Sequence, residues 1–282
     1  MNIADAIAAA AIKLADAGVA EPRREAASLM AFTLGRPSAF LIAHPEYELM
    51  AEESAAFEAF IARRASREPF QCITGRQEFW RLEFDVVPGV LIPRPETEIL
   101  VEAAVNVISS HHEPRFIEAG VGSGCISVSI LHSVPAARAI ATDVSISALQ
   151  LAAQNALKHG VAARLKLREA DLFAGVEGSF DLIVSNPPYI PDGDIGGLQA
   201  EVRDFEPIGA LAGGRDGLDI IRLIVADSCH LLRPGGVLIM EIGEGQAAAV
   251  KGLFEPRVWQ TPKFLADLQA IDRVVIARTQ TT

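Results

Sequence analysis

Phe116-Ile117-Glu118-Ala119-Gly120-Val121-Gly122-Ser123-Gly124 reads as a short apolar strand that runs into a glycine-rich turn, with a helix expected over residues 124–133 behind it. Glycines lack a Cβ, so the backbone can turn sharply there and come close to a bound group, while the helix that follows offers unpaired N–H groups. Outward from this unit the chain alternates short apolar runs with helical stretches. Strands are expected at 115–119, 138–142, 164–168, 180–185 and 236–242, and further helices at 146–158 and 216–231. That alternation is the pattern of an α/β, Rossmann-like parallel sheet covered by helices, in which ligands lie beyond the carboxyl ends of the strands near the reversal in strand order.

Four motifs fall at such ends. In the first, a dinucleotide site would want G-x-G-x-x-G, but the third glycine comes one position early and Cys125 stands where the pattern expects it. The shift favours S-adenosyl-L-methionine over a nicotinamide dinucleotide; the alternative is a tight strand-to-helix turn with no ligand. Asp143 ends the second strand, 21 positions beyond Gly122. It suits the two hydroxyls of an adenosine ribose, or else caps the helix opening at 145–148. Glu169-Ala170-Asp171-Leu172-Phe173 follows the third strand. It is either an adenine-side contact, with a carboxylate for the amino group and Leu172 or Phe173 over the ring, or an acidic loop anchored by a core Phe. The fourth, Asn186-Pro187-Pro188-Tyr189, follows the apolar strand at 180–185. Two prolines donate no backbone hydrogen bonds and keep Asn186 from helical angles. The Asn186 side-chain oxygen, the Pro187 carbonyl and the flat face of Tyr189 together match a planar group bearing an NH2, either a carboxamide or an exocyclic base amine.

Three sections are expected: a helical unit at 1–69, a β-hairpin linker at 70–95 and the α/β domain at 96–282. Ile3, Ile7, Ala10 and Leu14 form one stripe of an amphipathic helix stopped by Gly18, and Phe57, Phe60, Ile61 and Arg64 share helical spacing in a later one. Aromatic and β-branched residues with Gly75 and Pro88-Gly89 point to the hairpin. The 282 residues carry 36 acids and 25 bases, a net charge of −11, which disfavours bulk nucleic-acid binding. Residues 1–75 alone hold seven basic and ten acidic side chains, which fits a partner-binding, substrate-recognition module or lid better than an RNA grip. Three scattered cysteines, Cys72, Cys125 and Cys229, suggest neither disulfides nor a metal knuckle and fit a reducing, cytoplasmic setting. The His111-His112 pair reads as a solvated loop, so no metal is expected. With no apolar run near the roughly 18 residues of a membrane span, no membrane partner is expected either.

Taken in order, these segments resemble the HemK/PrmC family, the N(5)-glutamine methyltransferases of peptide chain release factors. The likeness extends over nearly the whole chain. It takes in Pro69 to Phe79, Leu91-Ile92-Pro93-Arg94-Pro95-Glu96-Thr97-Glu98, Glu206-Pro207, Gly213-Gly214 to Asp216-Gly217-Leu218, Pro234-Gly235-Gly236 and Glu241-Ile242-Gly243. The resemblance implies a class I S-adenosylmethionine-dependent methyltransferase domain with a small all-α N-terminal domain. It places the cofactor loop on Gly120, Val121, Gly122, Ser123 and Gly124, the ribose acid on Asp143, and the adenine-side contact on Leu172. The methyl-acceptor pocket falls on Asn186, Pro187, Pro188 and Tyr189, with Asn186, Pro187 and Tyr189 as the catalytic group and Asn186 also touching the cofactor. Release factors are the implied partners. Glu118 stands where the family usually has Asp, Cys72 where Tyr is common, and Leu172 where an aromatic is frequent. Rival readings are a ribosomal-protein glutamine methyltransferase, an adenine N(6) methyltransferase of nucleic acid, and a cofactor-binding scaffold without activity.

Overall fold

The computed structural model describes residues 1–281. They divide into two compact units, residues 1–76 together with 199–205, and residues 77–198 together with those from 206 onward.

The first unit is helical, with α1 (Ile3–Asp16), α2 (Pro22–Leu34), α3 (Ser38–Ala43), α4 (Ala51–Ala65) and α5 (Phe70–Thr74). Asn2 caps α1 by accepting from the Asp5 N–H at 2.8 Å, and Pro22 opens α2, where a missing N–H costs nothing. The expected stripe Ile3, Ile7, Ala10 and Leu14 is buried against Leu29, Met30, Phe57 and Ile61. Arg64 shares that buried face, and its charge is met there. Its guanidinium donates to Glu25 at 3.0 Å and to Glu201 at 3.0 Å, and Arg67 donates to Glu201 at 2.7 Å. Glu201 sits on the one-turn helix Ala200–Arg203, and this pairing joins 199–205 to a unit more than a hundred positions upstream. Burial works to raise its carboxyl, but the hydrogen bonds from Arg67 and Arg64 outweigh that and hold it at about 2.

The hairpin is shorter than expected. Residues 70–74 form α5 instead, between Pro69 and a left-handed Gly75, because Ile73 is buried in the helical core and Phe70 packs against it. Only β1 (Arg76–Phe79) and β2 (Leu82–Asp85) pair. The composition of 70–74 favours strand, and burial in a helical neighbourhood overrides it.

The second unit continues with α6 (Glu98–Ile108), β3 (Arg115–Ala119), α7 (Cys125–Ser133), β4 (Arg138–Asp143), α8 (Ile146–Lys158), β5 (Leu165–Glu169) and β6 (Phe180–Ser185). After the returning turn α9 (Ala200–Arg203) come α10 (Asp219–Leu231), β7 (Leu232–Glu241), α11 (Ala247–Lys251), β8 (Lys263–Ala266) and β9 (Asp272–Arg278). The sheet order is β5-β4-β3-β6-β7-β9-β8. Its first five strands are parallel, and β9 is antiparallel to both β7 and β8. Strands β8 and β9 lie beyond the strand–helix alternation, whose last expected strand ends at residue 242, and are not among the expected strands.

Apolar side chains fill both faces of the sheet. Phe116, Val128, Ile130, Leu182 and Ile239 belong to one core; Ile117, Ile183, Ile221, Leu238 and Met240 belong to the other. All six residues of β6 are buried, as a central parallel strand requires. Chain order reverses at β3, with β4 on one side and β6 on the other. Register then sets the site: Ala119 is level with Thr142 on β4 and with Ser185 on β6. Gly120, Asp143 and Asn186 therefore leave the sheet side by side.

Candidate active site

Two adjoining cavities open at these strand ends. The larger, about 280 Å³, is lined by Gly120, Gly122, Asp143, Leu172, Asn186 and Pro188 among others. The smaller, about 40 Å³, is lined by Arg94, Thr97, Gly120, Gly122, Ser123 and Asn186 among others. Gly120, Gly122 and Asn186 face both.

The glycine-rich turn splits into two roles. Gly120 (φ 77°) and Gly122 (φ 50°) have no protein atom within 4 Å of where a Cβ would stand, so a side chain there would occupy the cavity itself. Gly124 (φ 81°) is different: its Cβ would lie 3.1 Å from Ala152 Cα, so this glycine lets α7 start against α8. Val121 is 2% exposed and packs with Ala141 and Ala152. Neither Val121 nor Gly124 lines either of these two cavities, and both serve packing.

Asp143 accepts from the Gly122 N–H at 2.9 Å and from the Ser145 N–H at 2.9 Å. It braces the glycine turn and the residue two positions on, while the cap of α8 is that same Ser145, which accepts from the Ala148 N–H. Each carboxylate oxygen keeps a lone pair for a further donor. Leu172 adopts φ 46°, an uncommon angle for a branched side chain that costs about 1 kcal/mol or more. It lines the large cavity, and its neighbour Phe173 is buried in the core.

At the acceptor corner, Asn186 Nδ2 donates to Thr97 Oγ1 at 3.2 Å, and Thr97 Oγ1 donates to Glu241 Oε2 at 2.6 Å. Tyr189 Oη donates to Glu241 Oε1 at 3.1 Å, and Gln246 Nε2 donates to the Tyr189 carbonyl at 2.9 Å. Burial pushes the Glu241 carboxyl up, opposed by the hydrogen bonds from Thr97 and Tyr189. Burial, then the neighbouring Glu241, pushes the Tyr189 hydroxyl up as well. Pro187 is buried, and Tyr189 packs against the core with its hydroxyl turned to Glu241. Pro187 and Tyr189 line neither cavity with their side chains. Arg94 is held by Glu206, with both carboxylate oxygens at 2.7 Å. Sequence reasoning assigned no role to Thr97, Glu241, Gln246 or Glu206. The one local signal was Glu241, an acid closing the apolar run Val237-Leu238-Ile239-Met240.

Glu118 is fully buried in β3. Its Oε2 accepts from the backbone N–H of Ser127 at 3.0 Å and from the Ser127 hydroxyl, and its Oε1 has no partner. Burial raises the carboxyl from 4.5 to about 8, against the Ser127 hydrogen bonds. Because the folded value lies above the unfolded one, this group's contribution to stability is full below about 4.5 and is lost as pH rises through 8. Melting of the ligand-free protein followed from pH 4.5 to 8 is expected to show a downward trend that Glu118→Gln flattens. An identical slope in the variant would contradict the assignment.

Comparison with known proteins places the chain in a family. Residues 5–75 match the family described as PrmC N-terminal domain, and residues 96–197 the methyltransferase small domain. A release factor glutamine methyltransferase of Cereibacter sphaeroides is 45% identical over 99% of both chains. One from Geobacter sulfurreducens is 45% identical over 94% of this chain and 92% of its own. This chain belongs to the release factor glutamine methyltransferase family. A methyltransferase from Pyrococcus furiosus, 17% identical, covers 71% of this chain and 89% of its own with a TM-score of 0.53, and shares the fold. The second unit thus has the class I S-adenosylmethionine-dependent methyltransferase fold. The residues present fit that cofactor: Gly120 and Gly122 leave a cradle that a Cβ would fill, and Asp143 presents a carboxylate at its rim. Among the described residues, no helix is long and apolar enough to cross a membrane.

Proposed function

We propose that this protein transfers a methyl group from S-adenosyl-L-methionine to the side-chain amide nitrogen of the glutamine in the Gly-Gly-Gln motif of peptide chain release factors, and so modulates translation termination. The observation that carries the reading is Asn186, which faces both cavities with Nδ2 committed to Thr97 and Oδ1 taking no hydrogen bond from the described residues. The Pro187 carbonyl likewise receives no backbone hydrogen bond.

The cofactor supplies an electrophilic methyl on a sulfonium, so the chain's own task is to hold and orient the acceptor. A carboxamide nitrogen is a weak nucleophile because its lone pair is delocalised into the carbonyl. In this reading Asn186 Oδ1 and the Pro187 carbonyl each accept one amide hydrogen, fix the NH2 group, and favour the more pyramidal nitrogen that develops as charge builds. A carboxylate brought to the same corner would face two acceptors and be disfavoured. No strong base is needed beforehand, since the amide proton turns acidic only as the nitrogen gains its new bond. Gly120, Gly122, Asp143 and Leu172 hold the donor. The reading also places the enzyme in the cytoplasm, where release factors act.

Incubation with purified release factor and methyl-labelled cofactor, followed by mass mapping, tests this. The label is expected on the glutamine of Gly-Gly-Gln. Label found only on a ribosomal protein or on nucleic acid, or no transfer at all, would overturn the substrate assignment.

A further inference from the structure

We propose that Thr97 is a positioning residue which, backed by Glu241, fixes which end of the Asn186 carboxamide meets the acceptor and so selects amide over carboxylate. The inference rests on the reading above that Asn186 Oδ1 receives the glutamine NH2.

The argument is a count of protons. Only the donor and acceptor roles in the geometry enter it: the two Glu241 oxygens each accept from a hydroxyl, Oε1 from Tyr189 at 3.1 Å and Oε2 from Thr97 at 2.6 Å. Thr97 has a single hydroxyl proton, and it is spent on Glu241. What remains on Thr97 Oγ1 toward Asn186 is a lone pair, so the Asn186 atom at 3.2 Å has to be the donor Nδ2. Oδ1 is thereby turned to the cavities. Reversing the carboxamide would set Oδ1 against the Thr97 lone pair and present NH2 to the acceptor, which suits a carboxylate and repels an amide donor. Thr97 is 2% exposed and Glu241 is 2% exposed, so water is poorly placed to replace either partner. Thr97 reaches this position because the 3-10 turn Pro95–Thr97 leads into α6, and Glu241 because it ends β7 beside β6.

The test compares Thr97→Val, which keeps shape and removes the hydroxyl, with Thr97→Ser, which keeps the hydroxyl. Thr97→Val is expected to lower kcat on release factor roughly 10- to 100-fold. Its Kd for S-adenosylmethionine, measured by calorimetry, should stay within about 3-fold, a factor of well under 1 kcal/mol. Thr97→Ser should restore most of the turnover. A Gly-Gly-Glu variant of the release factor, used as a competitive inhibitor, should bind Thr97→Val more tightly relative to the Gly-Gly-Gln form than it binds the wild type. A purely structural role would not move that ratio. Should Thr97→Val fail to bind cofactor and so prove misfolded, Glu241→Met is expected to show the same loss of kcat, the same small change in Kd and the same shift in inhibitor ratio, because it removes the acceptor that takes the Thr97 proton and leaves that proton free to turn toward Asn186. Unchanged kcat, cofactor affinity falling in step with kcat in a folded variant, no rescue by serine, or an unaltered inhibitor ratio would each overturn the proposal. Asn186→Ala run alongside separates the levels: retained activity there sinks the reading of Asn186 itself, whereas retained activity in Thr97→Val alone sinks only the positioning role.

Discussion

Asn186→Ala is expected to lower turnover by about 10²- to 10³-fold, the scale on which removal of one preorganised polar contact to developing charge is felt. The loss should sit in kcat. In the proposed geometry Oδ1 is one of two acceptors holding the amide hydrogens, and their attraction grows as the nitrogen becomes cationic, so the contact matters more in the transition state than on binding. Cofactor affinity should fall much less, because Gly120, Gly122, Asp143 and Leu172 line the large cavity without depending on Asn186. Asn186→Asp gives a sharper version. It keeps an oxygen toward the acceptor but puts a second acceptor against Thr97 Oγ1, so the hydroxyl has two acceptors and one proton. It too should be severely impaired. Steady-state kinetics on release factor with calorimetry on the cofactor decides the matter; a variant with wild-type kcat would remove Asn186 from the chemistry.

The second large effect is expected at Asp143, in binding rather than turnover. Two charge-assisted hydrogen bonds to a ribose, at about 1.5–3 kcal/mol each before losses for desolvation, amount to a net of roughly 2–4 kcal/mol, or ~30- to ~1000-fold in Kd. Asp143→Ala also releases the Gly122 and Ser145 N–H groups, each held at 2.9 Å, so the glycine turn loses its brace along with the ribose its acceptor. Asp143→Asn can still accept through one oxygen and should fall between alanine and the wild type. Calorimetric titration with S-adenosylmethionine measures this directly. A Kd within 2-fold of wild type in the alanine variant would place the ribose elsewhere.

Much of the fold was legible because the strand–helix alternation is a local property. The run Phe180-Asp181-Leu182-Ile183-Val184-Ser185 looks like a central parallel strand, and all six residues are buried. Residues 70–74 show where local reading fails: Phe70, Ile73 and Thr74 have strand composition, yet Ile73 completes a helical core built from residues up to seventy positions away. The glycine turn was legible as a cradle but not as a division of labour. Val121 and Gly124 look equivalent to Gly120 and Gly122 in sequence, and only the approach of Ala152 assigns Gly124 to packing. Leu172 and Phe173 each took one half of what the sequence offered as alternatives, one at the cavity and the other in the core. Arg64 looked like part of an apolar face and is buried there, but its partner Glu201 comes from 137 positions downstream.

By itself the sequence determined a parallel α/β sheet, a ligand edge at its carboxyl ends, and a proline-stiffened Asn-Pro-Pro-Tyr corner, because periodicity, missing Cβ atoms and missing N–H groups act within a few residues of where they occur. The tertiary structure decided which of those residues face a cavity and which way the Asn186 carboxamide is turned. That orientation depends on Thr97 and Glu241, 144 positions apart in the chain, sharing one proton at 2.6 Å. A contact of that kind exists only once strand register and helix packing have brought both side chains to the same buried place.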